Sequence, residues 1–287
     1  MSMRGKTCVI TGASSGLGRE SARALAAAGA HVVLAARDSA ALGQTRDAIQ
    51  ADQPGARLST VVVDLASLAS VRAAAAQIAD VAPVIEVLMN NAGVMFTPFG
   101  RTHDGFETQF GTNHLGHFAL TILLRGQFIA GTRIVNLSSE GHRLGDIDLD
   151  DPNWQHRAYD KFAAYGAAKT ANILHTVALD RRLRDRGIRA FAVHPGMVAT
   201  NLARHMSRED VATVSGRARS QAIEVLTPKQ GAATQVWAAV STDLDGKGGL
   251  YLADCAVRTD VEAYATNPDR AEKLWKVSES LCAAAIS

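Results

Sequence analysis

Short apolar, β-branched runs alternate with amphipathic stretches along most of the chain. The runs at 7–11, 31–36, 58–63, 85–89, 133–137 and 188–193 each predict a buried strand, and 248–252 predicts a seventh, shorter one. Between them, apolar residues recur at helical spacing over 19–28, 39–52, from 67 onward, about 105–124, 165–186 and 228–240. Gly29 and Gly187 stand where two of these helices should stop. Strand alternating with helix predicts a parallel sheet with helices on both faces. The expected fold is therefore α/β and doubly wound, with seven parallel strands in one domain over 1–287. Two segments break the alternation. Residues about 200–227 are charged, carry apolar spacing at Leu202, Met206, Val211 and Val214, and predict a helical flap. The tail, about 253–287, ends in an amphipathic helix whose Leu274, Trp275 and Leu281 are expected to pack on the body or on a partner subunit.

In such a sheet a ligand lies across the carboxyl ends of the strands. The polar and small residues of this chain collect at those ends. The first strand runs into Gly12-Ala-Ser14-Ser15-Gly16-Leu17-Gly18 and then a helix. Glycines there let the backbone turn tightly and approach a pyrophosphate, whose charge sits on the amides of the helix N-terminus. Arg37 ends the second strand, where an arginine suits a 2′-phosphate and so NADP. Asp38 looks like the N-cap of the next helix but keeps NAD possible. Asp64-Leu65 follows the third strand, where Asp64 either accepts from an adenine amino group or caps a turn. Asn90-Asn91-Ala92-Gly93 follows the fourth, Ser138-Ser139 the fifth and His194-Pro195-Gly196 the sixth, with Val198 and Thr200 just beyond.

Tyr165 and Lys169 lie four apart, on one face of a helix. An ammonium beside a phenol favours the phenolate, which predicts a lowered Tyr165 pKa and a usable proton donor near neutral pH. Tyr159 is a rival, but Ala163 stands four residues after it. Asn113 interrupts an apolar helix face, where it could kink the helix, hold a water or simply be a bonded core residue. His114 and His117 have a spacing open to a metal, but no carboxylate or cysteine pattern joins them, and no metal is expected.

Composition narrows the class. The chain has 287 residues, a formal charge of +2 and no basic block, so nucleic acid is not an expected partner. Cys8, Cys255 and Cys282 are odd in number and widely spaced, which fits a reducing cytosol. No signal peptide or bilayer-length apolar run is recognisable, so a cytoplasmic protein without membrane contact is expected.

Taken together, Thr11-Gly12-x-x-x-Gly16-x-Gly18, Asn90-Asn91-Ala92-Gly93, Asn113, Ser139, Tyr165-x-x-x-Lys169 and Pro195-Gly196-x-x-x-Thr200 resemble the short-chain dehydrogenase/reductase family over almost the whole chain. The stretches 112–118, 138–143 and 169–174 are similar to its retinol dehydrogenase and protochlorophyllide reductase-like branch. The resemblance implies a Rossmann-type domain binding NADP, or NAD, through Gly12, Ser14, Ser15, Gly16, Leu17, Gly18, Arg37, Asp64, Leu65, Asn91, Ala92, Gly93, Tyr165, Lys169, Pro195, Gly196, Val198 and Thr200. It implies that Tyr165 exchanges the proton of a carbonyl or alcohol, with Lys169 tuning it and holding the nicotinamide ribose. Ser139 would bond the substrate oxygen, and Asn113 would position a water linking Lys169 to solvent. The expected activity is interconversion of an alcohol and a ketone or aldehyde, on a medium-sized and largely apolar small molecule. Reduction of a C=C bond is a second reading, and a catalytically silent dinucleotide sensor a third. Family members often pair through the helices carrying Asn113 and Tyr165, so a homodimer or homotetramer is expected.

Overall fold

The computed structural model describes residues 2–200, 202, 203, 206, 207, 209, 210 and 225–286. Six strands, β1 (Thr7–Thr11), β2 (His31–Ala36), β3 (Arg57–Val62), β4 (Ile85–Asn90), β5 (Phe128–Leu137) and β6 (Arg189–Val193), occupy the expected runs. A two-residue pair, β7 (Met197–Val198) and β8 (Val225–Leu226), forms a separate parallel ladder that brings together the two ends of the expected flap. Most of that flap lies outside the described residues. β9 (Leu250–Ala253) and β10 (Ala256–Arg258) complete the main sheet, whose order is β10-β9-β6-β5-β4-β1-β2-β3.

The sheet has eight strands, not the expected seven. The addition is β10, which runs antiparallel to β9 at the edge. Asp254 and Cys255 make the reversal, both with positive φ (52° and 53°). Tight hairpin turns need that conformation and usually take it from glycine or asparagine, so Asp-Cys gives no turn signal in the sequence.

Strand side chains alternate between two cores. Val9, Val33, Leu88 and Ile134 face one, with helices α3 (Leu68–Val81), α5 (Gly116–Leu123) and α6 (Lys161–Leu183). Cys8, Ile10, Leu34, Met89 and Val135 face the other, with α1 (Gly16–Ala27), α2 (Ser39–Asp52) and helix Ala233–Val240. Asp38 caps α2 by accepting from the Ala41 amide at 3.0 Å, as its position predicts.

The helix expected over 105–124 is not continuous. A short α4 (Thr108–Phe110), started by Glu107, passes into a π turn (Gly111–Leu115) before α5 begins. There the Gly116 amide bonds the Gly111 carbonyl, five residues back. Asn113 sits in the widened turn, its amide side chain accepting from Val94 N (2.8 Å) and donating to Val94 O (2.9 Å). It is therefore a bonded core residue and also marks an irregularity of the helix.

From Ala164 to Thr176 every residue of α6 is buried. Part of that cover is the C-terminal helix Pro268–Ile286, which lies on α6, α5 and α3. Trp275 stacks on His175 and meets Phe118 edge-on at 5.1 Å, while the Arg182 guanidinium lies 4.2 Å from its ring centre. Arg72 ties the far end by donating to the Ala285 (3.0 Å) and Ala284 (2.6 Å) carbonyls. Of the two partners expected for this tail, the body takes its apolar face.

Candidate active site

The residues flagged at strand ends meet along one edge of the sheet. Gly12 turns the chain out of β1 with φ +66°, and a Cβ there would stand 2.9 Å from Ala92 Cα. A Cβ on Gly18 would lie 2.3 Å from the Gly12 carbonyl oxygen and 2.6 Å from Asn91 Nδ2. No side chain fits at either point, so the β1–α1 turn, with Ser14, Ser15, Gly16 and Leu17, packs its backbone directly against Asn91 and Ala92 and leads into α1, whose first turn takes no side-chain cap from Ser15. That is the shape a pyrophosphate requires. The loop after β6 closes on the same turn. Thr200 Cγ2 would be 3.3 Å from a Cβ on Gly16, and Val198 and Leu17 both border Gly231. Pro195 and Gly196 lead into that loop, with Gly196 at φ +84°.

Thr11 locks the first strand end to the fourth. Its hydroxyl accepts from the Asn91 and Ala92 amides at 2.9 and 3.0 Å, and Asn91 Nδ2 donates to its carbonyl at 2.7 Å. Gln235, fully buried, donates to Ser21 Oγ (2.5 Å) and to Asn91 Oδ1 (3.4 Å), a support with no signal in the chain's pattern. At the third strand end Asp64 Oδ1 accepts from Ala66 N at 3.0 Å, so this oxygen caps a turn. Leu65 packs under Gly116, where a Cβ would be 2.4 Å from the Leu65 carbonyl. Arg37 is exposed beyond β2.

On the other side of this cradle stand Ser139, Tyr165 and Lys169. Asp160 starts α6 by accepting from Phe162 N and Ala163 N. One turn later Tyr165 comes beside Ser139: a Cβ on Gly141 would lie 2.6 Å from Tyr165 Cε1 and 3.2 Å from Ser139 Oγ. Ser139 also accepts from Gly141 N at 3.0 Å, whereas Ser138 donates to the Lys169 carbonyl at 2.9 Å. The second serine of the pair is thus the one beside the phenol. Lys169 Nζ donates to Leu137 O at 3.1 Å. It lies 5.6 Å from the Tyr165 ring centre and would be 3.8 Å from a Cβ on Gly93, a point 3.0 Å from Asn113 Oδ1.

The electrostatics depart from expectation. Tyr165 is pushed up to about 12 by burial, with the Ser139 bond pulling the other way. Lys169 is pushed down to about 8, also by burial. The lowering of Tyr165 expected from the ammonium does not appear: loss of water sets the phenol's pKa, and the opposing pull comes from Ser139. The tuned group in this state is the lysine, which sits near neutrality and can exchange a proton there.

The substrate side is aromatic. Phe96 has φ +52° and meets Tyr165 edge-on at 5.1 Å and Phe162 at 4.6 Å. Gln109, fully buried, holds this geometry by accepting from Phe96 N (2.9 Å) and donating to Tyr159 Oη (3.0 Å) and Lys161 O (2.9 Å). Tyr159 in turn donates to Glu107 Oε1 at 3.0 Å. The rival tyrosine therefore braces a loop, and burial with Glu107 beside it raises its pKa.

The sequence model of the short chain dehydrogenase family matches residues 6–211. The chain belongs to that family. The short-chain dehydrogenase is 42% identical to retinol dehydrogenase 14 of Mus musculus over 289 residues, which cover 96% of this chain and 86% of that protein. Its fold matches the crystal structure of an uncharacterized protein from Mycobacterium paratuberculosis with a TM-score of 0.77 at 36% identity, over 98% of this chain and 95% of that one. It also matches a blue fluorescent protein from a metagenomic library, solved in complex with NADPH, with a TM-score of 0.70 at 25% identity, over 88% and 98% of the two chains. As a member of this family in its retinol dehydrogenase-like branch, the chain is an oxidoreductase of alcohols and carbonyls.

Proposed function

We propose that this short-chain dehydrogenase uses NADP to interconvert an apolar alcohol and its aldehyde or ketone, with Tyr165 as the proton-exchanging group. The observation that carries the reading is the meeting of Tyr165, Ser139 and Lys169 with a tight glycine turn and an uncapped helix start at one sheet edge. The cofactor supplies the hydride, and the protein supplies binding, orientation and the proton. Gly12 to Gly18, Asn91, Ala92, Gly93 and the 195–200 loop would hold the dinucleotide, and Lys169 would bond its nicotinamide ribose. In reduction, the substrate oxygen is held between Ser139 Oγ and the Tyr165 hydroxyl. Tyr165 gives its proton as negative charge develops on that oxygen, and Ser139 stabilises the charge with a hydrogen bond. Lys169 and Asn113 both border Gly93; the Lys169 ammonium would return a proton to the Tyr165 phenolate and regain one from solvent.

Cofactor choice follows from two neighbours. Asp38 commits one carboxylate oxygen to the Ala41 amide at the start of α2, which leaves a single oxygen for a ribose hydroxyl. Arg37 beside it is exposed and suits a 2′-phosphate. The NADPH complex of the metagenomic relative supports the same choice. Parallel titrations of NADPH and NADH, followed by quenching of tryptophan fluorescence, test it. Arg37→Ala is expected to weaken NADPH by roughly ten- to a hundredfold, the loss of a charged pair, while leaving NADH nearly unchanged. Equal losses for both would remove Arg37 from the 2′-phosphate. A carbonyl screen with all-trans-retinal among its members then tests the apolar substrate that Val94, Phe96 and Phe162 favour. Activity confined to small polar ketones would sink that class.

A further inference from the structure

Beyond the residues so far given roles, one buried side chain joins the two halves of this site. We propose that His117 is a positioning residue that bridges the cofactor cradle to the π turn carrying Asn113, as a neutral imidazole protonated on Nδ1. The inference rests on the enzymatic reading above and adds a residue to it.

His117 lies in the first turn of α5 and is 3% exposed. Its Nδ1 lies 2.9 Å from the Asn113 carbonyl oxygen, and its Nε2 lies 2.8 Å from Thr11 Oγ1. A carbonyl only accepts, so Nδ1 carries the proton and Nε2 is left as an acceptor. Thr11 Oγ1 already accepts from two backbone amides, at 2.9 and 3.0 Å, which leaves its own proton to give. That proton goes to His117 Nε2; the other acceptor in reach, Met89 O, is farther at 3.4 Å. Each donor and acceptor in the chain has one assignment.

The bridge adjoins the π turn. His117 lies just beyond the widened segment, and its side chain reaches back four residues to the Asn113 carbonyl inside it. Asn113 is thereby held twice, by Val94 through its side chain and by His117 through its backbone. The groups facing His117 favour the neutral ring. Burial brings it down to about 4 and the Lys169 ammonium adds to that, while the histidines that interact with it, His114 and His175, are themselves held low by burial. A ring protonated on both nitrogens would lose the Thr11 bond. His114 does separate work, with Nε2 2.8 Å from Ser278 Oγ.

The first test needs no turnover. Two-bond 15N–1H NMR correlations of the wild-type chain should show the His117 ring with protonated Nδ1 and bare Nε2; the opposite tautomer would overturn the bridge. The second uses variants with NADPH and all-trans-retinal. His117→Leu is expected to lower kcat about tenfold by misplacing the Asn113 turn, while the NADPH Kd moves less than about threefold. His117→Asn keeps a donor near the Asn113 carbonyl and should recover most of the lost kcat. An undiminished kcat in His117→Leu, or equal losses in both variants, would reduce His117 to core packing. Wild-type chain that turns over no carbonyl would sink the proposed function instead, and the tautomer would then decide the bridge alone.

Discussion

Tyr165→Phe should abolish most turnover while NADPH binding stays within about twofold of wild type. A positioned general acid contributes roughly a hundred- to ten-thousandfold, and no nearby hydroxyl can take over. Ser139, an aliphatic alcohol, is far too weak an acid to replace the phenol, and Tyr159 is committed to Glu107 and Gln109. The substitution removes one oxygen and leaves the ring against Phe96, so packing should hold. Steady-state rates together with a fluorescence titration of NADPH would measure both halves. Wild-type turnover in the variant would remove Tyr165 from the chemistry.

Lys169→Met should inactivate the enzyme and yet stabilise it. Burial lowers the Lys169 pKa from 10.5 to about 8, so the folded chain binds this proton less tightly than the unfolded chain. Below pH 8 the ammonium is ionised inside the fold at a cost of on the order of 3 kcal/mol, at about 1.4 kcal/mol per unit. Stability therefore rises as pH increases from about 8 towards 10.5, where the unfolded chain still holds the proton and the folded one has released it. Methionine has similar bulk and no charge, but it gives up the bond to Leu137 O. A net gain of about 1–2 kcal/mol at pH 7 is expected, seen as a higher midpoint in urea, and it should vanish towards pH 10. The rate of carbonyl reduction should fall as pH rises through about 8, as Lys169 loses its charge. A destabilised Lys169→Met at pH 7 would show that the lysine supports the fold.

Strand ends are legible because most strands close on a run of apolar residues, and the polar or small residues that follow mark where the chain leaves the sheet. That places Gly12, Arg37, Asp64, Asn91, Ser139 and Pro195 on one edge before any side chain is seen. Three features left no such trace. The π turn inserts one residue's worth of slack into an apolar helix without altering its composition, so only Asn113 hints at it. The β9–β10 turn uses Asp254 and Cys255 at positive φ, where glycine or asparagine would have announced it. His117 is read from the chain only as half of a histidine pair, because its partners, Thr11 and the Asn113 carbonyl, are set by tertiary distance. The charge balance was also hidden, since how much water Tyr165 and Lys169 lose depends on everything packed around α6.

Pro268–Ile286 covers α5 and α6 from within the same chain. Whatever stability that cover lends the helix of Tyr165 and Lys169 is unimolecular and carries no mass-action term. Dilution cannot strip it away, and α6 keeps this shield at nanomolar as at micromolar protein.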